Sequence, residues 1–324
     1  MSRQDEDGPR RRSLFVAANP SIDRLYELDR LAAGEIHRPR SSKAVPGGKG
    51  LNAARAAATL GGSVTAVGIV AGRSGDWIVE RLAQLGIDCR MTRASGETRT
   101  CVSVLDHSTG ALTEIYERGQ AIDPAAWDAL EALVGIELDR GDIATVAVSG
   151  SLPPGAPADG YGRIARIAAA RPRPVAVLAD TYGPALAAVL AEAPTIVKVN
   201  AAEAGDASSL RVSDPGSAVV AAGVLRDAGA ACVIVTLGLE GAVVVSAGER
   251  THLVPPAIRG NYPVGSGDAF LGGLAVAIAR GGSFVEAARL GLAGAIANAQ
   301  IPGAGELDST AIEGILERIV ANSI

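Results

Sequence analysis

Aromatic residues are scarce in this chain, at 3% of 324 residues. Proteins that grip single-stranded nucleic acid stack bases on aromatic rings, and a formal net charge of −5 also lacks the basic footprint that phosphate backbones require. Histidine is rarer still: His37, His107 and His252 are scattered, without metal-ligand spacing. Cysteine is limited to Cys89, Cys101 and Cys232, odd in number and far apart, which argues against a disulfide framework and suits a reducing cytoplasm. No apolar run approaches the roughly 20 residues of a membrane span, and no signal-peptide pattern opens the chain. A cytoplasmic protein with neither a nucleic-acid nor a membrane partner is expected.

Lysine is the most informative shortage. Lys43, Lys49 and Lys198 are the only lysines, and every other basic side chain of the cationic pair is arginine. Lysine is a compact, mobile point charge where arginine is a planar fork. Lysines kept in so arginine-rich a chain point to places where chemistry needs an ammonium group, with chance placement as the alternative.

Hydrophobic residues, by contrast, reach 48% and charged residues 20%. That allows a sizeable core, in one large α/β domain or two smaller ones. Residues 1–13 are charged and read as a solvated, disordered arm. Order is expected from Leu14, with a strand over 14–18 and Asp23 just beyond its end, where ligands of open α/β sheets bind. Residues 24–45 are mixed and polar. A helix over 53–60, a strand over 64–70 and a helix over 75–85 begin an alternating pattern. Strands over 98–105 and 112–116 form a hairpin without an intervening helix. With 35–44 they are expected to make a small antiparallel sheet, a lid drawn from about 24–45 and 97–118.

Beyond Gly119, helices over 124–138, 161–170, 185–193 and 217–228 alternate with strands over 143–149, 175–180, 195–199 and 232–237, and a further strand covers 242–246. Val- and Ile-rich strands between Ala-rich helices predict an α/β fold, a mainly parallel sheet covered on both faces. Helices over 267–280, 284–299 and 310–321 finish the chain.

One stretch carries the chemistry: Asn261-Tyr262-Pro263-Val264-Gly265-Ser266-Gly267-Asp268-Ala269-Phe270. Small residues opening a helix leave backbone N–H groups free to hold an anion. An acid beside them fits phosphoryl transfer, which needs donors for the phosphoryl group and a carboxylate for the attacking hydroxyl. Alone, the stretch reads equally as a glycine turn with Asp268 starting a helix. Other polar residues also follow strands: Asp23, Ser149-Gly150-Ser151, Asn200 with Glu203, and Thr236-Leu237-Gly238. The carboxyl edge of a parallel sheet would bring them together. Gly48-Lys49-Gly50 lacks P-loop spacing and its hydroxyl, and Gly265-Ser266-Gly267 lacks the third glycine of a dinucleotide fingerprint.

Pro46-Gly47-Gly48-Lys49-Gly50-Leu51-Asn52 resembles the first signature of the ribokinase-like (PfkB) sugar kinases. Pro263-Val264-Gly265-Ser266-Gly267-Asp268-Ala269-Phe270 resembles the second, and Lys198-Val199-Asn200-Ala201-Ala202-Glu203 the Asn-x-x-Glu motif between them. Val199 stands where that motif usually has proline, and Ser266 where the second signature usually has alanine; neither change removes a reacting group. Asn19-Pro20-Ser21-Ile22-Asp23, Gly96-Glu97-Thr98-Arg99-Thr100 and Ser149-Gly150-Ser151-Leu152-Pro153-Pro154-Gly155 resemble the phosphosugar branch, the 1-phosphofructokinases and tagatose-6-phosphate kinases. The resemblance covers 14–324 as one ribokinase-like unit with a β-sheet lid.

It implies ATP as donor, Mg²⁺ as partner, a phosphosugar as substrate and a homodimer through the lid. The product would be a ketohexose bisphosphate. In the implied roles, Asp268 is the general base, Gly265, Ser266 and Gly267 supply the anion hole, and Gly265 and Gly267 also touch the nucleotide. Asp23, Gly47, Gly48 and Asn52 hold the sugar. Arg99 and Ser151, with Lys43 and Lys49, bind its phosphate. Lys198, Thr236, Gly238 and Asn298 meet the nucleotide, Asn298 near the base. Glu203 and Asn200 hold Mg²⁺ through water. The alternatives are a kinase of an unphosphorylated sugar or nucleoside, and a non-catalytic sugar-phosphate-binding regulator.

Overall fold

The first strand decides how the chain is layered. The computed structural model describes residues 11–324, and in β1 (Arg12–Ala17) Leu14 and Val16 enter one apolar core while Phe15 and Ala17 enter another. Side chains of a strand alternate with period two, so a strand apolar at every position from Leu14 to Ala17 must be covered on both faces there. The lid follows with β2 (Ser21–Leu28) and β3 (Ser41–Gly47), then α1 (Lys49–Thr59), β4 (Val64–Ala71), α2 (Gly72–Gln84) and β5 (Asp88–Ala94). Two more lid strands are β6 (Thr100–Asp106) and β7 (Ala111–Tyr116).

The regular half runs through α3 (Pro124–Asp139), β8 (Ile143–Ser149), α4 (Gly160–Ala169), β9 (Ala176–Asp180), α5 (Gly183–Leu190), β10 (Ile196–Asn200) and α6 (Ala201–Ser208). It continues with α7 (Pro215–Asp227), β11 (Cys232–Thr236), β12 (Ala242–Ser246) and β13 (Glu249–Val254). The chain closes with α8 (Ser266–Ala279), α9 (Phe284–Asn298), α10 (Ile312–Leu316) and β14 (Val320–Ser323).

Ten strands form the main sheet, in the order β14-β13-β12-β11-β10-β9-β8-β1-β4-β5. Every pairing from β5 to β11 is parallel, and those from β11 to β14 are antiparallel. The core on one face is closed by α1, α8 and α9, and on the other by α3, α4, α5 and α7. Small residues let the first group pack closely. A β-carbon on Gly272 of α8 would lie 2.7 Å from the Ala53 carbonyl of α1, so the two helices meet backbone to backbone. This brings the ends of α1 and α8 side by side at the carboxyl edge of the sheet.

The expected α/β architecture is present, with unexpected strands at β5 and β13, an unexpected helix at α6, and further differences that bear on the lid and the chain ends. The lid, in the order β3-β2-β6-β7, is not wholly antiparallel: β2 and β6 pair in parallel. Both leave the carboxyl edge of the main sheet, one after β1 and the other after β5, and so run outward together. Asp23 lies within β2 rather than in a loop after β1. The first strand begins at Arg12, not Leu14, because Arg12 is clasped by Asp142 (2.8 and 3.0 Å) and Thr65 (2.6 Å); residues 1–10 of the expected arm lie outside the described residues. The helix expected over 310–321 stops at Leu316, and Val320–Ser323 instead pairs with the sheet edge at β13.

Candidate active site

The loop after β3 turns sharply into α1, and glycine makes this turn possible. Gly48 has φ 84°, a conformation that favours glycine. A β-carbon on Gly47 would fall 2.0 Å from the carboxyl carbon of Asp23, so only a bare backbone lets Asp23 lie across the turn. Its carboxylate accepts from Ser21 Oγ at 2.6 Å, and from the Gly48 N–H and Asn52 Nδ2 at 3.4 Å each.

Asn52 Nδ2 also donates to Asp268 Oδ2 at 3.0 Å. One amide thus joins Asp23 of the lid to Asp268, the third residue of α8. Asp268 is 7% exposed. Burial pushes its carboxyl up to about 7; Asp180 adds to the rise, while Lys49, the Asn52 amide and Lys198 oppose it. A carboxylate poised near neutrality is suited to accepting a proton from a hydroxyl.

Gly265 caps α8 with φ 81°, and a β-carbon there would lie 2.5 Å from Ala304 Cα. The Ser266 N–H donates to the Pro263 carbonyl at 3.1 Å. It is therefore occupied by a turn and corrects the expected anion hole. Gly265, Gly267 and Asp268 have no backbone or side-chain acceptor among the described residues. These N–H groups, at a helix N-terminus, are the donors open to an anion.

Beside them stands a charge cluster. Lys198 Nζ lies 2.7 Å from Asp180 Oδ2, and Lys49 Nζ lies 3.6 Å from Asp180 Oδ1 and 3.9 Å from Glu203 Oε1. Asp180 is fully buried. Burial alone would raise its carboxyl, but Lys198 and Lys49 outweigh it and hold the group below the usual range. Asp180 in turn raises the Lys49 ammonium above its ordinary value, against burial and with help from Asp268 and Glu203. Lys49 therefore stays charged, and Lys198 Nζ stands beside Gly267 at the open N–H groups. Asn200 and Glu203 form the capping box of α6, with reciprocal 2.9 Å bonds.

Apart from Asp180 and Gly47, these groups border a single cleft of about 910 Å³ between lid and body, which also includes Lys43, Arg99, Thr236 and Gly238. Gly47 thus sits just outside the lining, against Asp23, and two other expected site residues lie elsewhere. Asn298 is fully buried and donates to the Val264 carbonyl at 2.8 Å and Ser266 Oγ at 3.3 Å; it braces the glycine loop and does not line the cleft, which corrects its expected place near the base. Ser151 is exposed and outside the lining, and accepts from Asn19 Nδ2 at 3.2 Å.

Lys43 and Arg99 do not converge either. Lys43 lies opposite Leu25 in β3, and Arg99 precedes Thr100, which lies opposite Ile22 in β6; they flank β2 on opposite sides. Lys43 Nζ pairs with Glu306 at 2.9 Å. Arg99 donates to the carbonyls of Asn19 and Glu117, at 3.1 Å each. A guanidinium has five N–H donors, so Arg99 keeps donors to spare.

The reading of the sequence gave no role to Asp180, Arg55 or Glu306. Asp180 had a signal, a charged residue closing an apolar strand at the carboxyl edge. Arg55 sits inside an alanine-rich helix and Glu306 in a Gly- and Pro-rich loop, and neither had one.

The pfkB family carbohydrate kinases match residues 16–311. The chain belongs to this family. As a pfkB carbohydrate kinase it is a phosphotransferase. It is similar to a 1-phosphofructokinase from Rhodobacter capsulatus, 34% identical over 278 residues, covering 86% of this chain and 87% of that one. A 1-phosphofructokinase from Xanthomonas campestris pv. campestris is 33% identical, with 82% and 84% covered. Among solved structures, phosphofructokinase-2 from Escherichia coli in complex with fructose-6-phosphate superposes with a TM-score of 0.83 at 27% identity, covering 95% of this chain and 98% of that one. In this pfkB kinase no helix among the described residues is long and apolar enough to cross a membrane.

Proposed function

We propose that this kinase transfers the γ-phosphoryl group of ATP to a hydroxyl of a ketohexose phosphate, giving the bisphosphate. One observation carries the reading: the Asn52 amide ties Asp268, a buried carboxylate poised near 7, to Asp23 in the lid. A hydroxyl lying between these two carboxylates meets an acceptor for its proton and a group that orients it. The open N–H groups of Gly265 and Gly267, with Lys49 and Lys198, offer positive charge where the transferring group gathers negative charge. Thr236 and Gly238 border the same cleft and would contact the nucleotide.

The spare donors of Arg99 and the names of the curated relatives support a phosphorylated acceptor. Fructose 1-phosphate is the first substrate to test, with tagatose 6-phosphate and fructose 6-phosphate next. Lys43 is reassigned from that phosphate to the lid contact with Glu306.

Among the described residues no group of three or more His, Cys, Asp or Glu side chains is placed to hold a metal ion. That suits Mg²⁺, which keeps its waters and binds mainly through substrate phosphates and one or two carboxylates. Glu203, with one carboxylate oxygen free of its cap, would hold it beside Asn200. When bound, Mg²⁺ neutralises charge on the phosphates.

The reading takes 14–324 as one catalytic unit, with 24–45 and 97–118 as its lid, acting in the cytoplasm. Exposed apolar residues on the lid's edge strand, Ile115 at 61% and Tyr116 at 56%, support a homodimer formed through the lid. Sedimentation of the intact chain tests that part.

The experiment for the activity is a coupled ADP-release assay across a panel of phosphosugars, free sugars and nucleosides. Turnover of a ketohexose phosphate is expected. Turnover confined to free ribose or a nucleoside overturns the role given to Arg99, and no turnover with any acceptor overturns the whole reading.

A further inference from the structure

The orientation of Asn52 is held from behind. Its amide nitrogen faces Asp268 and Asp23, so its oxygen faces away, and there Arg55 Nη2 donates to it at 3.0 Å. A flipped amide would set its oxygen against two carboxylates and its N–H groups against a guanidinium, repulsive on both sides. Arg55 is 6% exposed and donates to three further acceptors: the Pro46 carbonyl at 3.0 Å, the Ala304 carbonyl, and Glu306 Oε1 at 2.8 Å. The other oxygen of Glu306, Oε2, lies 2.9 Å from Lys43 Nζ on lid strand β3. Each oxygen of this one carboxylate thus serves a different body, one the catalytic helix α1 and the other the lid.

We propose that Arg55 and Glu306 are positioning residues for phosphoryl transfer. Glu306 orients Arg55, Arg55 fixes the Asn52 amide, and Asn52 sets Asp268, while Lys43 docks the lid onto the same carboxylate. The chain Lys43, Glu306, Arg55, Asn52, Asp268 links lid closure to the base without any of its first three members touching the reacting atoms. Charge-assisted hydrogen bonds at each step give it directional stiffness. The inference rests on Asp268 acting as the base, and not on which sugar is the acceptor.

The test uses the full chain and the acceptor that the wild type turns over. Glu306→Ala is expected to lower kcat by about 10- to 100-fold, the range a misplaced catalytic group produces, with acceptor KM changed by less than about threefold. Glu306→Gln keeps a carbonyl oxygen for Arg55 and is expected to restore kcat to within about threefold of wild type. Arg55→Lys keeps the charge but loses the fork that reaches Asn52, so it is expected to match Glu306→Ala in kcat and serves if the alanine variant does not fold.

A readout independent of turnover is the ¹⁵N resonance of the Asn52 side-chain amide. It is expected to shift in Glu306→Ala and Arg55→Lys, and to stay in place in Glu306→Gln. Wild-type kcat in Glu306→Ala or Arg55→Lys overturns the proposal. So does a glutamine variant as impaired as the alanine one, or an Asn52 resonance that none of these changes moves. If Asp268→Asn left turnover intact, the base assignment would fail instead, and the Asn52 resonance would still decide the Glu306–Arg55–Asn52 linkage.

Discussion

Asn52 Nδ2 lies 3.0 Å from the Asp268 carboxylate, so an amide from the first helix orients an acid on the eighth. In the proposed role of Asp268 as base, this contact orients the carboxylate without neutralising it. Asp268→Asn is expected to lower kcat by about 100- to 10,000-fold, the range for a positioned general base. Acceptor and nucleotide affinity should stay within a few-fold, since asparagine keeps the shape and the oxygen that Asn52 meets. Single-turnover kinetics with binding by calorimetry separate the two. Equal losses in binding and turnover would show that Asp268 holds substrate and does not take its proton.

The same burial gives two pH dependences of opposite sign. Asp268 works as a base only when ionised, so kcat/KM is expected to rise with pH through a limb centred near 7. Stability runs the other way. A carboxyl raised in the folded state from 3.8 to about 7 contributes stability below its unfolded value, and that contribution is lost as pH rises through 7. Asp268→Asn removes this loss. The variant is expected to be more stable than wild type at pH 8, by up to about 4 kcal/mol, and no more stable at pH 4. Urea denaturation at the two pH values measures this. A wild type that is the more stable protein at pH 8 would contradict a buried, strained carboxylate at this position.

Gly47 illustrates how one missing side chain permits a site. A β-carbon there would overlap the Asp23 carboxylate, with contacts of 2.0, 2.2 and 2.3 Å. Either Asp23 or the turn must move. Gly47→Ala is expected to raise acceptor KM by at least about 10-fold and to lower kcat, because an orienting group displaced by about 1 Å costs about 100-fold. Nucleotide binding, proposed for the Thr236 and Gly238 end of the cleft, should be unchanged. Steady-state kinetics with each substrate varied in turn would show this, and a rise in nucleotide KM alone would place Gly47 in the wrong half of the site.

Legibility followed the distance along the chain over which a feature is encoded. Gly265, Gly267 and Asp268 were legible because a turn, a helix start and an acid fall within a few residues. Asp180 was not, because its place in the site comes from Lys49 and Lys198, each on a separate element. Glu306 lies in a loop without periodicity and gains meaning only from Arg55 and Lys43. Among the elements, β8 and β12 were read to the residue since each is an apolar run buried throughout. β2 was missed because Ser21, Asp23 and Arg24, which border the cleft, and Glu27 break it up with polar side chains, so it lacks the apolar run of a core strand. β14 depends on pairing with the distant edge of β13, which no local pattern announces.

Asn298 offers the sharpest test of how the glycine loop is held. Its amide donates to the Val264 carbonyl at 2.8 Å and to Ser266 Oγ at 3.3 Å from a fully buried position. The loop carries the open N–H groups, and their aim depends on where Val264 and Ser266 sit. Asn298→Ala would leave that carbonyl without its buried donor, at a cost of about 1–3 kcal/mol in stability. The freed loop is expected to lower kcat by about 10- to 100-fold. A residue that touched the base would behave differently, because its loss would raise nucleotide KM and relax the choice between ATP and GTP. Kinetics with both nucleotides decide the matter: a kcat loss with unchanged preference fits a brace behind the loop, and a relaxed preference with intact kcat would return Asn298 to the nucleotide.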